Sequence, residues 1–203
     1  MAAKVALVTA SSAGLGAACV KALASHFRVV VNYYSRPEKA AEVIKEASSV
    51  TPTFAASSVN EPRFHSIQAD VSDRSQIRKL IDETVSKMGR LDVVISNNGW
   101  TRLTNFFDLE DQVHEEDWDR CFNANVKSHL WLLYAAKPHL EKSEGGGAFV
   151  TVASLAGVRP SGSSLPYAVT KAAEIHLTKG LAVICGKGVR CNSVSPGLMM
   201  TEW

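Results

Sequence analysis

Along the chain, short runs of β-branched and apolar residues alternate with segments whose apolar positions recur every three to four residues. The pattern predicts strands over 4–10 (KVALVTA), 28–34 (RVVVNYY), 63–71, 91–97, 146–154 and 189–197. Between them it predicts helices over 15–27, 36–49 (with Pro37 near its start), 73–89, 115–142 and 165–187. Ser72 or Asp73 is placed to cap the helix over 73–89. Residues 50–62, polar and punctuated by proline, read as a surface loop.

Strands that are apolar at nearly every position are buried on both faces, which requires a parallel sheet covered by helices on each side. Right-handed crossovers then give an α/β, Rossmann-type doubly wound parallel sheet of six strands. No repeat, low-complexity tract or linker divides the chain, so residues 1–203 are expected to form a single domain. The sixth strand is followed only by a few residues ending Thr201-Glu202-Trp203, with no further element to cover it.

Composition changes this picture little. The 203 residues are 46% hydrophobic and 21% charged, ordinary for a globular domain with a sizeable core. A net charge of +2, with basic and acidic residues interspersed, gives no surface for nucleic acid or an anionic membrane. No apolar run approaches the roughly 20 residues that span a bilayer, and no signal-peptide layout opens the chain. The four cysteines form no CxxC pair and lack a histidine in ligand spacing, so no metal is expected and core thiols are. A soluble cytoplasmic protein is the expectation.

The chemistry-bearing segments fall at strand ends. TASSAGLGA joins the first strand to the first helix, where glycines let backbone approach a pyrophosphate at a helix N-terminus; a merely tight connection is the other reading. Farther on, Tyr167 and Lys171 stand four residues apart on one predicted helix face, and Ser154 lies thirteen residues before Tyr167 at a strand end. A free phenol has a pKa near 10, and a cation beside it lowers that value towards the range useful for proton transfer. Alone, a tyrosine and lysine at this spacing are common; with the serine and the alternating pattern they point to one site.

Together these motifs resemble the short-chain dehydrogenase/reductase family. The turn Thr9-x4-Gly14-x-Gly16 is similar to the family's TGxxxGxG, with Ala10 in place of the first glycine, where a methyl group fits if φ stays negative. The resemblance implies a nicotinamide dinucleotide held by Thr9, Ser11, Ser12, Gly14, Leu15 and Gly16, and by Asp70 and Val71 against the adenine, Asp70 being equally suited to capping a helix. SNNGW (96–100) resembles the family's NNAG: Asn97 would brace the sheet, Gly99 would let the cofactor lie close, and Trp100 stands where the family has glycine. Pro196 and Gly197 would pass beneath the nicotinamide, with Thr201 bonding its carboxamide or the pyrophosphate; a plain turn is the alternative.

The resemblance further implies Asn125, Ser154, Tyr167 and Lys171 as the catalytic set. Tyr167 donates the proton to a carbonyl oxygen, Ser154 bonds that oxygen, Lys171 acidifies Tyr167 and grips the ribose, and Asn125 holds a water beside the lysine. The end of the second strand, NYYSRPE, carries no carboxylate for a ribose 2′-OH; Ser35 and Arg36 suit a 2′-phosphate instead, unless Arg36 is only a solvated helix start. NADP is therefore expected over NAD. The expected activity is reduction of a ketone or aldehyde, or oxidation of a secondary alcohol. The alternative is a catalytically impaired NADP-binding relative, a sensor or assembly partner. Family members usually continue with a substrate-covering segment and a seventh strand, so a C-terminally truncated member is expected. The two long helices of the family's dimer surface are present, implying a homodimer, and Trp100, Met199 and Trp203 are candidates to line the substrate pocket.

Overall fold

The computed structural model describes residues 3–54 and 61–201. In it β1 (Val5–Val8), β2 (Arg28–Tyr33), β3 (Phe64–Gln68), β4 (Val93–Ser96), β5 (Gly147–Val152) and β6 (Val189–Val194) form one sheet. The order is β3-β2-β1-β4-β5-β6, every pairing is parallel, and the direction of winding reverses between β1 and β4. This is the doubly wound arrangement that the alternating pattern predicts.

Helices α1 (Gly14–Leu23), α2 (Pro37–Ser48), α3 (Arg74–Met88), α4 (Glu115–Phe122), α5 (Ser128–Leu140) and α6 (Leu165–Cys185) cover the two faces. All four residues of β1 are buried, as a strand packed from both sides requires. On one face Val5, Leu7, Val30, Val94 and Phe149 pack with Leu80, Leu132 and Leu181 from the helices; on the other Val8, Val29 and Val31 meet Ala17, Val20, Ala40 and Val43. Of the two expected caps it is Asp73 that serves α3, accepting from the backbone N–H of Ser75 at 2.7 Å. Gly89 ends that helix at φ 76°.

The predicted single helix over 115–142 is interrupted. α4 and α5 are joined by a π-helical turn, Asn123–Lys127, in which one extra residue is accommodated. The Ala124 carbonyl takes bonds from Asn98 Nδ2 at 3.0 Å and Ser128 Oγ at 2.7 Å. Two short 3-10 turns, Glu110–Gln112 and Leu155–Gly157, escape the periodicity because three residues are too few to show a repeat. Of the expected 50–62 loop, residues 55–60 lie outside the described residues, as does Trp203. No helix among the described residues is long and apolar enough to cross a membrane.

Candidate active site

The carboxyl ends of the strands meet where the winding reverses, the position at which doubly wound sheets take ligands. The turn after β1 is set by side chains from three strands. Ser11 Oγ donates to Val8 O at 2.7 Å, and Thr9 Oγ1 donates to Asn98 Oδ1 at 2.9 Å while accepting from Asn97 N at 2.9 Å. Thr9 and Ser11 are thus buried braces that do not line the cleft. Gly16 is packed so closely that a Cβ would sit 2.6 Å from Ala10 O. The condition under which a methyl group fits at Ala10, a negative φ, is not met: its φ is 48°, in the left-handed region. Asn32 and Asn97 force that geometry, Asn32 Oδ1 accepting from Ala10 N at 3.0 Å and Asn97 Nδ2 donating to Ala10 O at 3.2 Å.

Asn97 therefore braces this turn, and the neighbouring Asn98, which the sequence reading passed over, carries the longer-range bonds to Thr9, Ala124 and Ser128. Asn32, also missed, donates to Ala69 O at 3.1 Å and so connects the turn to the end of β3. The available signal was position: a lone amide directly after or inside an otherwise apolar strand must find buried partners.

Asp70 Oδ1 accepts from Ser72 N at 2.8 Å and Ser72 Oγ at 2.7 Å, which closes the turn before α3. Neither Asp70 nor Val71 lines the cleft. Asn125 is fully buried and away from the cleft lining. It clamps the Trp100 backbone from both sides, accepting from N at 2.6 Å and donating to O at 2.9 Å, and donates to Thr170 Oγ1 on α6 at 3.0 Å. Gly99 lies between the Asn125 and Lys171 side chains, where a Cβ would come within 3.3 and 3.4 Å of them.

At the far end, Ser154 leaves β5 in extended conformation and its Oγ accepts from Ala156 N at 3.1 Å. Leu155 N bonds Pro196 O at 2.9 Å, drawing the chain beyond β6 against it. α6 begins at a capping Ser164, whose Oγ accepts from Tyr167 N at 3.3 Å. The helix brings Lys171 Nζ to 5.7 Å from the centre of the Tyr167 ring, as the four-residue spacing predicts. Lys171 is 3% exposed, and its ammonium donates to Val152 O at 2.8 Å and Glu174 Oε2 at 2.9 Å. Glu174 was not singled out from sequence, although a charge three residues beyond Lys171 on the same helix was the cue.

One cleft of about 370 Å³ takes in Ser12, Gly14, Leu15, Ser35, Arg36, Asn97, Gly99, Ser154, Tyr167, Lys171, Pro196, Gly197 and Thr201, together with Trp100 and Met199. The fit to a dinucleotide can be judged from its walls. The first turn of α1 has no side-chain cap, since Ala13 stands at that position, and Ala13, Gly14 (φ 54°) and Leu15 line the cleft there. Ser35 and Arg36 flank that end, and Ser154, Tyr167 and Lys171 the other. An anionic, elongated molecule with a reactive end matches this layout.

Residues 4–203 match the family described as short chain dehydrogenase. A Streptomyces violaceoruber protein named as ketoacyl reductase 2 of the granaticin polyketide synthase is 38% identical over 202 residues, 99% of this chain and 75% of that protein. The 3-oxoacyl-(acyl-carrier-protein) reductase FabG of Staphylococcus aureus is 32% identical over 98% of this chain and 76% of its own length. A short chain dehydrogenase from Burkholderia cenocepacia, solved in complex with NADP, is 32% identical with a TM-score of 0.83, over 98% of this chain and 76% of that one.

Proposed function

We propose, since the chain belongs to the short-chain dehydrogenase/reductase family, that it reduces a ketone or aldehyde, or oxidises the matching secondary alcohol, using NADP and with Tyr167 passing the proton. The observation that carries this reading is that Ser154, Tyr167 and Lys171 line the same cleft as the uncapped glycine turn after β1.

The nicotinamide, when bound, supplies or accepts the hydride. The residues of this chain manage everything else. Ser154 Oγ accepts from Ala156 N, and the described contacts give its hydroxyl proton no acceptor, so it is free to donate to a carbonyl oxygen. Charge that develops on that oxygen is met by donors already in place, the arrangement that gives electrostatic catalysis its size. Tyr167 delivers the proton in reduction and accepts it in oxidation. Lys171, buried beside the ring, places its positive charge next to the group that passes the proton. Asn125 acts from behind the site by fixing Trp100 and the start of α6.

Ser12, Gly14, Leu15, Asn97, Gly99, Pro196, Gly197 and Thr201 are assigned to the cofactor by their place along the cleft. Thr9, Ser11, Gly16, Asp70 and Val71 are assigned to the shape of the loops around it. NADP over NAD is supported by Ser35 and Arg36 at the end of β2 and by the NADP-bound Burkholderia relative. The relatives named as ketoacyl reductase and 3-oxoacyl-(acyl-carrier-protein) reductase favour the ketone of an acyl chain as the substrate group. A homodimer built on α5 and α6 completes the proposal.

The test is Tyr167→Phe assayed with NADPH against a panel of carbonyls. Turnover should fall by about a thousandfold, the middle of the range for a lost general acid, while NADPH affinity by fluorescence titration stays within a few-fold. Loss of NADPH binding along with turnover would contradict the proton-transfer role.

A further inference from the structure

Beneath Lys171 lies a group of buried polar side chains that the reaction above does not use. Glu174, one turn farther along α6, is 0% exposed. Its Oε2 holds Lys171, and its Oε1 faces His129 Nε2 on α5 at 3.4 Å. Neither of those last two atoms has a hydrogen-bond partner, though both are buried. His129 is also 0% exposed, and its Nδ1 lies 2.6 Å from Ser96 Oγ at the end of β4. From β5, Thr151 lies beside the same carboxyl and shares a 2.9 Å bond with Thr178 of α6.

The charged or titratable groups facing Glu174 are therefore Lys171 on its own helix and His129 on α5, while β4 and β5 present hydroxyls only. Cys121 of α4 also feels Lys171, but burial pushes its thiol up to about 11 and it stays neutral.

The heavy atoms admit two proton arrangements. In one, Glu174 is a carboxylate, His129 carries its proton on Nε2 towards Oε1, and Ser96 donates to Nδ1. In the other, Glu174 is a neutral acid donating to Nε2, and Nδ1–H donates to Ser96 Oγ. The second holds one proton more. In the first, the carboxylate neutralises the Lys171 ammonium; in the second, that positive charge acts undiminished on the cleft. Burial pushes Glu174 up to about 7, against the opposing pull of Lys171 and Thr151. Burial, then Lys171, hold His129 well below the usual imidazole range, so the added proton goes to the carboxyl and not to the ring.

We propose that Glu174, backed by His129, is a positioning residue that takes up and releases one proton and thereby sets how much of the Lys171 charge reaches Tyr167. This rests on the reading of Tyr167 and Lys171 as the proton-handling pair. Above the transition the ammonium is paired with a carboxylate; below it, its positive charge acts on the Tyr167 side of the cleft unopposed.

The test uses full-length protein labelled at the glutamate carboxyl carbon, titrated by NMR as wild type, Glu174→Gln and Tyr167→Phe, with pH profiles of kcat and KM for the active forms. One carboxyl should titrate near neutral pH in wild type and Tyr167→Phe and be missing from Glu174→Gln. The wild-type kcat profile should show an inflection at the same pH that Glu174→Gln lacks, with KM for substrate moving much less. A Glu174 carboxyl titrating in the ordinary range near 4 overturns the proposal. So does a Glu174→Gln enzyme slowed equally at every pH with the inflection in place, which is what a merely structural role predicts. Should Glu174→Gln not fold, His129→Leu provides the second arm: loss of the ring should move the Glu174 midpoint up by about a unit or more, and an unmoved midpoint overturns the pairing. A neutral-range carboxyl in a protein that turns over no carbonyl supports the buried pair while sinking the enzymatic reading.

Discussion

A single methyl group marks the difference between what residue type tells and what its surroundings impose. Ala10 sits at φ 48°, where an L-residue is strained by roughly 1–2 kcal/mol, yet it is held there by Asn32 and Asn97. Neither constraint is local in sequence, which is why the sign of φ was not legible from the turn motif. Ala10→Gly relieves the strain but gives the unfolded chain more freedom, so a net gain of about 0.5–1 kcal/mol is expected in urea denaturation. A loss of stability would mean that the methyl packs to advantage. Arg36 poses the opposite case, a residue whose type was read directly from the strand end and which the fold places on the cleft wall. Arg36→Ala should weaken NADPH by at least about tenfold, since a charge-assisted contact to a phosphate is worth more than a neutral one. NADH should be affected much less, and equal losses measured by fluorescence titration would remove the preference for NADP. Tyr167 and Lys171 were legible because one helical turn fixes their separation whatever else the chain does. Glu174 and His129 were not, because their meeting depends on how α5 and α6 pack.

Among the elements, the strands were the easiest to read and the transitions between elements the hardest. Apolar runs such as VALV and RVVVNY declare burial on both faces and place β1 and β2 within a few residues of the expected bounds. The π-helical turn at Asn123–Lys127 was not legible in the apolar pattern, because the contact that marks it, Asn98 Nδ2 on the Ala124 carbonyl, comes from a loop 26 residues away. The 3-10 turn Leu155–Gly157 was equally silent, yet it sets where Ser154 lies relative to α6. A Cβ on Gly157 would fall 2.5 Å from Lys171 C and 2.7 Å from Ala172 N, both of them helix backbone that cannot yield by changing rotamer. Gly157→Ala should therefore push the Ser154 loop off α6 and separate it from Tyr167. Displacement of about 1 Å at a reacting group costs on the order of 100-fold in rate. The expected result is kcat lowered at least tenfold with NADPH affinity nearly intact, because the glycine turn after β1 is untouched. An unchanged kcat would show that the loop adjusts without moving Ser154.

At the scale of the whole molecule the surface, more than the core, indicates how copies associate. The described helices leave large apolar side chains in water: Tyr134 on α5 is 68% exposed, and Val183 and Ile184 on α6 are 86% and 76% exposed. Single exposed apolar residues are ordinary, but several on the two helices expected to form a dimer surface call for a partner. β6 ends the sheet and pairs only with β5 among the described strands, so its outer side is a second place where a chain could add. The two routes give different stoichiometry and respond to different substitutions. A two-fold axis across the helices brings the same patch of both copies together, so Val183→Glu places like charges close to one another and desolvates them. Association through α6 predicts that the wild-type protein is a dimer by light scattering and that Val183→Glu raises its dissociation constant at least about a hundredfold, roughly 3 kcal/mol, with the circular dichroism unchanged. Association through β6 predicts no effect of that substitution, because Val183 would remain in solvent in either state. A wild-type protein that is monomeric at micromolar concentration would remove the helical interface altogether. Tyr167 would then have to be positioned by the contacts within one chain, the Ser164 cap and the Lys171–Glu174 pair beneath it.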